Sequence, residues 1–296
     1  MKVKKLAAID IGSNAIRMLI ANVVQTEGEH PIFMKSEMVR VPIRLGQDSF
    51  TVGEISNKNT KRVVRAMKAF KLLMKINKVN NYMACATSAL RESNNAVELV
   101  KKVKKKTGIK IEIIDGKKEA EIISYSNVIS DQGHNSNYLY IDVGGGSTEF
   151  SIIKNRKRIS SKSFKTGTVR MINGMVNDEV WVKIEDWIKK NTEEIDKIQL
   201  LGTGGNINKV FKLLDTKEGN PITYIKLNSF YNDLKVLSYE ERILKYNLNL
   251  DRADVIIPAL EIYLKAFNWS GANKIFVPKI GLSDGMIKMM YKKYNA

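Results

Sequence analysis

Cysteine is nearly absent from this 296-residue chain. Cys85 stands alone, so no internal disulfide can form, and a fold stapled for the extracellular space is excluded. Histidine is almost as scarce: His30 and His134 lie in polar stretches with no partner motif, which argues against either as a catalytic base or metal ligand. Long apolar runs are missing too. Nothing approaches the roughly eighteen apolar residues of a membrane span, and the basic start MKVKKLAAIDIG is interrupted by Asp10 too early for a secretory core. A buried N-terminal strand and a cytoplasmic location are expected. Acidic residues are short in supply, 31 Asp+Glu against 49 Lys+Arg, for a formal charge of +18. Such an excess concentrates anionic ligands. A lysine-coated surface, nucleic acid, an anionic membrane and a long phosphate polymer all satisfy it, and composition does not separate them.

What is present is enough for a sizeable core: 44% of residues are hydrophobic and 27% charged, which excludes disorder, and the length suits two domains. One plan occurs twice. LAAIDI at 6–11 reads as a strand ending in Asp10, followed by a Gly12-Ser13-Asn14 turn and a second strand-like run, Ile16–Val24. YLYIDV at 138–143 ends in Asp142, then Gly144-Gly145-Gly146-Ser147-Thr148 and Phe150–Ile153. The two aspartates lie 132 positions apart. This reads as a duplicated α/β fold with two facing lobes. The expected lobes are residues 1–125 and 126–283, with the boundary inside 120–135 and a return of the final helix, 284–296, to the first lobe.

Between the openings, Val63, Ala66, Met67, Phe70 and Met74 recur at helical spacing and predict a buried helix face. A second helix is expected from an N-cap at Ser93 to a stop at Gly108. Its lysines at 101–102 and 104–106 sit near a C-terminus that favours cations anyway. Further helices are expected near 178–194, 205–214 and 251–268, and a strand near Lys274–Val277.

Two Asp-Gly turns suit a phosphate clamp. Glycines let the backbone approach closely and form anion-binding nests of N–H groups, while Asp10 and Asp142 suit a hard cation such as Mg²⁺. A third cluster, Gly202-Thr203-Gly204-Gly205-Asn206, joins a strand to a helix. It lacks the GK[ST] ending of a Walker A loop and has Ile207 where GxGxxG needs its last glycine. A strand-to-helix loop still presents N–H groups to phosphate. Arg91, after Ala86-Thr87-Ser88-Ala89-Leu90, suits a forked phosphate contact or an ordinary helix start.

As an ordered set these stretches resemble the exopolyphosphatase and guanosine pentaphosphate phosphatase (Ppx/GppA) family of the actin-like superfamily. The matching motifs are AAIDIGSNAIRMLIA (7–21), ATSALRES (86–93), KKEAEIISY (117–125), IDVGGGSTEFSI (141–152), TGTVRM (166–171), GTGGN (202–206), RADVIIPAL (252–260) and PKIGLSDGMI (278–287). The resemblance implies two ribonuclease-H-like lobes with the active site in the cleft between them. It further implies Mg²⁺-dependent release of terminal phosphate from inorganic polyphosphate or a guanosine-pentaphosphate-like nucleotide. Glu119 falls at the family's catalytic base. Ser147 and Glu149 would help hold the water and metal, alongside the metal ligands Asp10 and Asp142. Ser13, Asn14, Arg17, Arg91, Gly144, Gly145, Gly146, Gly204 and Gly205 would bind phosphate, and Gly167 and Arg170 belong to a GxVR element. Glu121 lies two residues from Glu119, off its helix face.

Three departures stand out: Lys118 replaces an acidic residue before Glu119, Asn206 occupies a small-residue position, and Gly281-Leu282-Ser283-Asp284-Gly285 carries Ser-Asp for the family's Arg-Glu. A short form without the C-terminal helical domain of HD type is expected. Family members often form homodimers, and no exposed stripe decides for one here. Competing readings are a nucleotide phosphohydrolase, a kinase-like transferase, for which no sugar-pocket aspartate is identifiable, and a polyphosphate or nucleic-acid binder without turnover. The carboxylates Glu119 and Asp142 speak against pure polyanion binding, and no membrane partner is expected.

Overall fold

The apolar run that opens the chain becomes the inner half of β1 (Lys2–Ile11), buried from Leu6 to Ile11 as a central strand covered on both faces must be. The computed structural model describes residues 1–126 and 137–295, so His134 and part of the segment 120–135 lie outside the described residues. Contacts divide the chain into two units, Met1–Asn127 with Ile280–Ala296, and Val128–Lys279.

In the first unit β1 pairs antiparallel with β2 (Ile16–Gln25), and β2 with β3 (Ile32–Val41). The chain then runs through α1 (Leu45–Val52) and α2 (Asn57–Ile76) to β4 (Asn81–Ala86), α3 (Ser88–Arg91), α4 (Ala96–Thr107), β5 (Glu112–Ile113) and α5 (Gly116–Ser124). β4 and β5 lie parallel to β1, giving the sheet order β3-β2-β1-β4-β5. Ser56 caps α2 by accepting from the Asn59 N–H, and Val63, Ala66, Met67, Phe70 and Met74 form its buried face. Burying Val63, Met67 and Phe70 contributes about 1.5–3 kcal/mol each.

Gly108 ends α4 in the left-handed conformation, at φ 79°. Ser93, however, does not cap that helix: its hydroxyl donates to the Ala89 carbonyl at 2.7 Å, and α4 starts three residues later, at Ala96, with Asn95 before it. The C-terminal helix α13 (Leu282–Asn295) packs on β1, β2 and α5 of this unit.

The second unit repeats the plan. β6 (Tyr138–Val143), β7 (Thr148–Lys154) and β8 (Lys157–Phe164) form an antiparallel meander. Two helices, α6 (Thr168–Ile172) and α7 (Asp178–Thr192), then lead to β9 (Gln199–Thr203), parallel to β6, and to α8 (Gly205–Leu213). The remainder is β10 (Ile222–Thr223), α9 (Tyr224–Lys235), α10 (Tyr239–Tyr246), α11 (Leu250–Ala253), α12 (Ile256–Ser270) and β11 (Lys274–Phe276), completing the order β10-β11-β9-β6-β7-β8.

The helix expected over 251–268 is two. Pro258 has no N–H for the carbonyl a turn earlier, so the helix restarts at Ile256 and Pro258 falls in its first turn. Around Phe150, Phe164 and Trp187, and beneath the fully buried Tyr263 and Phe267, helices and sheet share one apolar core. The two units are thus mixed α/β lobes of like design, in accord with a duplicated actin-like fold.

Candidate active site

Both Asp-Gly turns close in the same way. In the first unit the Gly12 N–H donates to the Ala15 carbonyl, and in the second Gly144 donates to Ser147. That closure pairs residues seven apart across the hairpin, Asp10 with Arg17 and Asp142 with Glu149. Paired residues point to one face, with Cβ atoms about 5 Å apart. The two lobes therefore carry the same scaffold with opposite electrostatics. In the first, a guanidinium sits 3.6 Å from the Asp10 carboxylate. In the second, two carboxylates oppose each other.

Asp10 is 8% exposed, and burial pushes its carboxyl above the ordinary value, an effect that Arg17 partly offsets. Behind it, the Ser13 hydroxyl meets that of Ser88 at 2.9 Å, and the Ser13 carbonyl accepts from the Gly46 N–H at 2.8 Å, so the first turn is held from both sides. Asn14 lies in the same turn. Arg91 ends α3. Its Nη1 donates to the Ile114 carbonyl at 2.8 Å and lies 3.7 Å from Glu119 Oε2. Among the described residues only that nitrogen is engaged, and the side chain is one-quarter exposed.

Glu119 sits in the first turn of α5, where Asp115 caps the helix by accepting from the Lys118 N–H. It is buried, whereas Glu121 is exposed and paired with Lys118 at 3.0 Å. Glu119 thus faces Arg91 within the first unit. Lys118, which replaces an acidic residue there, pairs with Glu121 on the exposed side of the helix.

In the second unit the glycine turn is braced from behind. Thr168 N–H donates to Gly144 O at 3.0 Å and Val169 N–H to Gly145 O at 2.8 Å. The buried Arg170 side chain donates from Nε to Gly146 O at 2.7 Å. Gly167 makes this brace possible, since a Cβ there would stand 2.6 Å from the Gly145 carbonyl. With its three carbonyls held by α6, the turn has the N–H groups of Gly145 and Gly146 without an acceptor among the described residues. Two adjacent N–H groups of this kind form an anion nest.

Glu149 Oε1 accepts from the Ser147 hydroxyl at 2.7 Å and from Ser163, on β8, at 2.9 Å. Gly204 and Gly205 open α8 at the end of β9, with Gly204 alongside the Val143 carbonyl and close to Asp142 Oδ1.

Sequence reasoning missed several neighbours. Tyr140 and Tyr263 clamp Thr203 from two sides, Tyr140 on its hydroxyl at 2.8 Å and Tyr263 on its carbonyl. Both phenols are pushed up, first by burial and then by Asp142. The Tyr140 signal was available: two residues before Asp142 on one strand means the same face. Tyr263 and Ser163 come from distant elements, and nothing local announces them.

The donor set fits a hard divalent cation only in part. Asp142 and Glu149 supply oxygen ligands on one face, yet no group of three or more His, Cys, Asp or Glu residues capable of holding a metal occurs among the described residues. Such a set suits an ion that takes one or two carboxylates and completes its shell with water and substrate phosphate, as Mg²⁺ does. No helix among the described residues is long and apolar enough to cross a membrane.

Comparison with known proteins bears on the fold and the family. A bifunctional 3-dehydroquinate synthase/phosphatase of Fusobacterium nucleatum is 31% identical over 92% of the chain, which spans 44% of that protein. A putative exopolyphosphatase of Haemophilus influenzae is 25% identical, with 99% of this chain and 93% of that one covered. Among solved structures, an exopolyphosphatase of Cytophaga hutchinsonii superposes with a TM-score of 0.83 at 22% identity, covering 98% of both chains. An Aquifex aeolicus Ppx/GppA protein gives 0.78 at 23%, covering both chains fully. At those identities the structural likeness is one of fold. Residues 22–294 match the Ppx/GppA phosphatase family, and the chain belongs to it.

Proposed function

We propose that this chain hydrolyses phosphoanhydride bonds, releasing terminal phosphate from inorganic polyphosphate with the help of Mg²⁺ or another divalent cation. The observation that carries this reading is the braced glycine turn, whose Gly145 and Gly146 N–H groups stand beside the opposed carboxylates Asp142 and Glu149. An anion nest next to a cation site suits a metal-bound phosphate, and the +18 charge suits a polymeric one.

When bound to Asp142 and Glu149, the cation would neutralise phosphate oxygens and charge developing on the leaving chain. The protein's own groups do the rest. Gly144–Gly146 and Gly204–Gly205 orient phosphate through backbone N–H groups. Ser13, Asn14, Arg17 and Arg91 would bind phosphate on the first lobe, where Asp10 keeps Arg17 in place and would help hold a metal. On the second lobe Ser147 donates to Glu149 and would help position a water. On the first, Glu119, which faces Arg91, would align a nucleophilic water and take its proton, while fixed N–H dipoles and cations stabilise the transition state.

The test is Glu119→Gln, which keeps the size and one acceptor oxygen but removes the charge and the proton-accepting carboxylate. We expect kcat on polyphosphate to fall by about 10²–10⁴-fold with KM little changed. A folded variant with full turnover would remove Glu119 from the mechanism.

A further inference from the structure

Helices α2 and α4 carry a charge imbalance that the active site does not use. α2 holds seven basic residues and no acidic one, and α4 holds five basic residues and only Glu98. All twelve basic residues are exposed. The two helices pack side by side. Their starts are tied by reciprocal hydrogen bonds between Asn95 and the Ile55 backbone, and Lys71 Nζ reaches the Gly108 stop of α4. Along α2, Lys61, Arg65, Lys68 and Lys75 follow one another at helical spacing, with Lys71 beside them. They form a basic ridge on a helix about 30 Å long.

Such a face is not the ordinary outcome for a soluble surface, which mixes signs. Elsewhere in this chain lysines find partners one turn away, as Lys189 does with Glu185 and Lys265 with Glu261. Among the described residues no ion pair involves a basic residue of α2 or α4. The helix dipole accounts for Lys104–Lys106 at a C-terminus, but it opposes Lys58 and Lys61 near the N-terminus of α2. Like charges one turn apart also weaken a helix by a few tenths of a kcal/mol per pair. An external polyanion would reverse both costs.

The ridge leads away from the first phosphate turn. Ser13 is bonded to Gly46 at the start of α1, the chain passes through Gly53 into α2, and α2 ends where β4 begins, beside Lys5 at the far end of the sheet. We propose that the outer faces of α2 and α4 form a docking track for the distal part of a long polyphosphate chain, remote from the bond being cleaved. This rests on the reading above. A bare phosphate polymer is favoured over single-stranded nucleic acid because neither helix exposes an aromatic ring on which bases would stack; Phe70 is buried.

The experiment compares two five-site variants: Lys61, Lys68, Lys71, Lys101 and Lys105 to Gln, and a control with Lys183, Lys190, Lys212, Lys217 and Lys235 to Gln, which removes the same charge from the second lobe. Binding of long-chain polyphosphate is measured across a salt series, with tripolyphosphate hydrolysis read in parallel. The track variant should lose about tenfold in affinity at low salt. Its slope of log K against log salt should shrink by about 0.7 per lysine that had touched the chain. The control should change little, and tripolyphosphate turnover should match in both. Equal loss in the two variants would leave only a diffuse field and overturn the track. Selective loss of binding to single-stranded RNA, with polyphosphate unaffected, would overturn it in favour of nucleic acid. If the unmodified protein binds polyphosphate through this face but hydrolyses nothing, the track stands and the hydrolase reading falls.

Discussion

Replacing Glu149 with Gln tests the paired carboxylates without disturbing their setting. Gln keeps an Oε1 acceptor for the Ser147 and Ser163 hydroxyls while it removes the charge and turns the second oxygen into an N–H donor. Asp142 and Glu149 oppose each other on antiparallel strands. At about 5 Å and an effective dielectric near 20, two such charges repel by about 3 kcal/mol. The serine hydrogen bonds and the solvent reaching Asp142 reduce this toward the roughly 1 kcal/mol typical of opposed like charges in sheets. Metal-free Glu149→Gln should therefore be more stable than the unmodified protein by about 1 kcal/mol, or about 2–4 °C in Tm. The response to metal should reverse the order. Mg²⁺ at a hundredfold excess over Kd stabilises a one-site protein by about 2.7 kcal/mol, and the variant should lose most of that gain. Thermal melts in chelator and in a Mg²⁺ series read both effects. A variant that melts lower in chelator and keeps the full Mg²⁺ shift would show that the two carboxylates neither repel each other nor hold the ion.

Three further outcomes follow from the geometry. Gly285→Ala places a methyl group against the Ile122 carbonyl, where α13 crosses α5. We expect a loss of about 1–3 kcal/mol by denaturant unfolding, despite the better helix propensity of Ala, and a lower kcat, since α5 carries Glu119, the proposed base. Asp10→Asn should raise stability at neutral pH. The raised carboxyl makes the native state hold its proton more tightly than the unfolded chain, so stability drops as pH climbs from the ordinary value of 3.8 toward the native one, and the variant loses that slope in pH-dependent melts. Cys85 is fully buried, and its thiol is pushed up to about 12, first by burial and then by Glu112, Asp10 and Glu119. Alkylation at mildly alkaline pH should be negligible in the native protein and ordinary after denaturation, as mass spectrometry would show.

The duplicated strand–turn–strand plan was legible because both openings end an apolar run in Asp and then in glycine. The partners across the hairpin followed less readily. Counting back from a four-residue turn pairs Asp10 with Arg17 and Asp142 with Glu149, but only hydrogen bonding shows that the turn closes at Ala15 and at Ser147. Gly167 and Arg170 had no role assignable from pattern, because bracing a loop some twenty residues away is a tertiary property. Ser93 misled for a local reason: a serine before a helical pattern is a good cap only when its hydroxyl is not already bonded one turn back. Helices α9 and α10 drew no expectation. α9 buries Leu227, Phe230 and Leu234 at ordinary spacing, and α10 buries nothing, so neither stands out beside the glycine motifs.

The central claim is turnover. Purified protein with Mg²⁺ should be given long-chain polyphosphate, with guanosine pentaphosphate and ATP in parallel reactions, and phosphate release followed over time. We expect release from the polymer, faster than from either nucleotide. Release mainly from the nucleotides would move the assignment to a nucleotide phosphohydrolase. Tight polymer binding with no release from any of the three would contradict the account and leave a polyphosphate-binding protein.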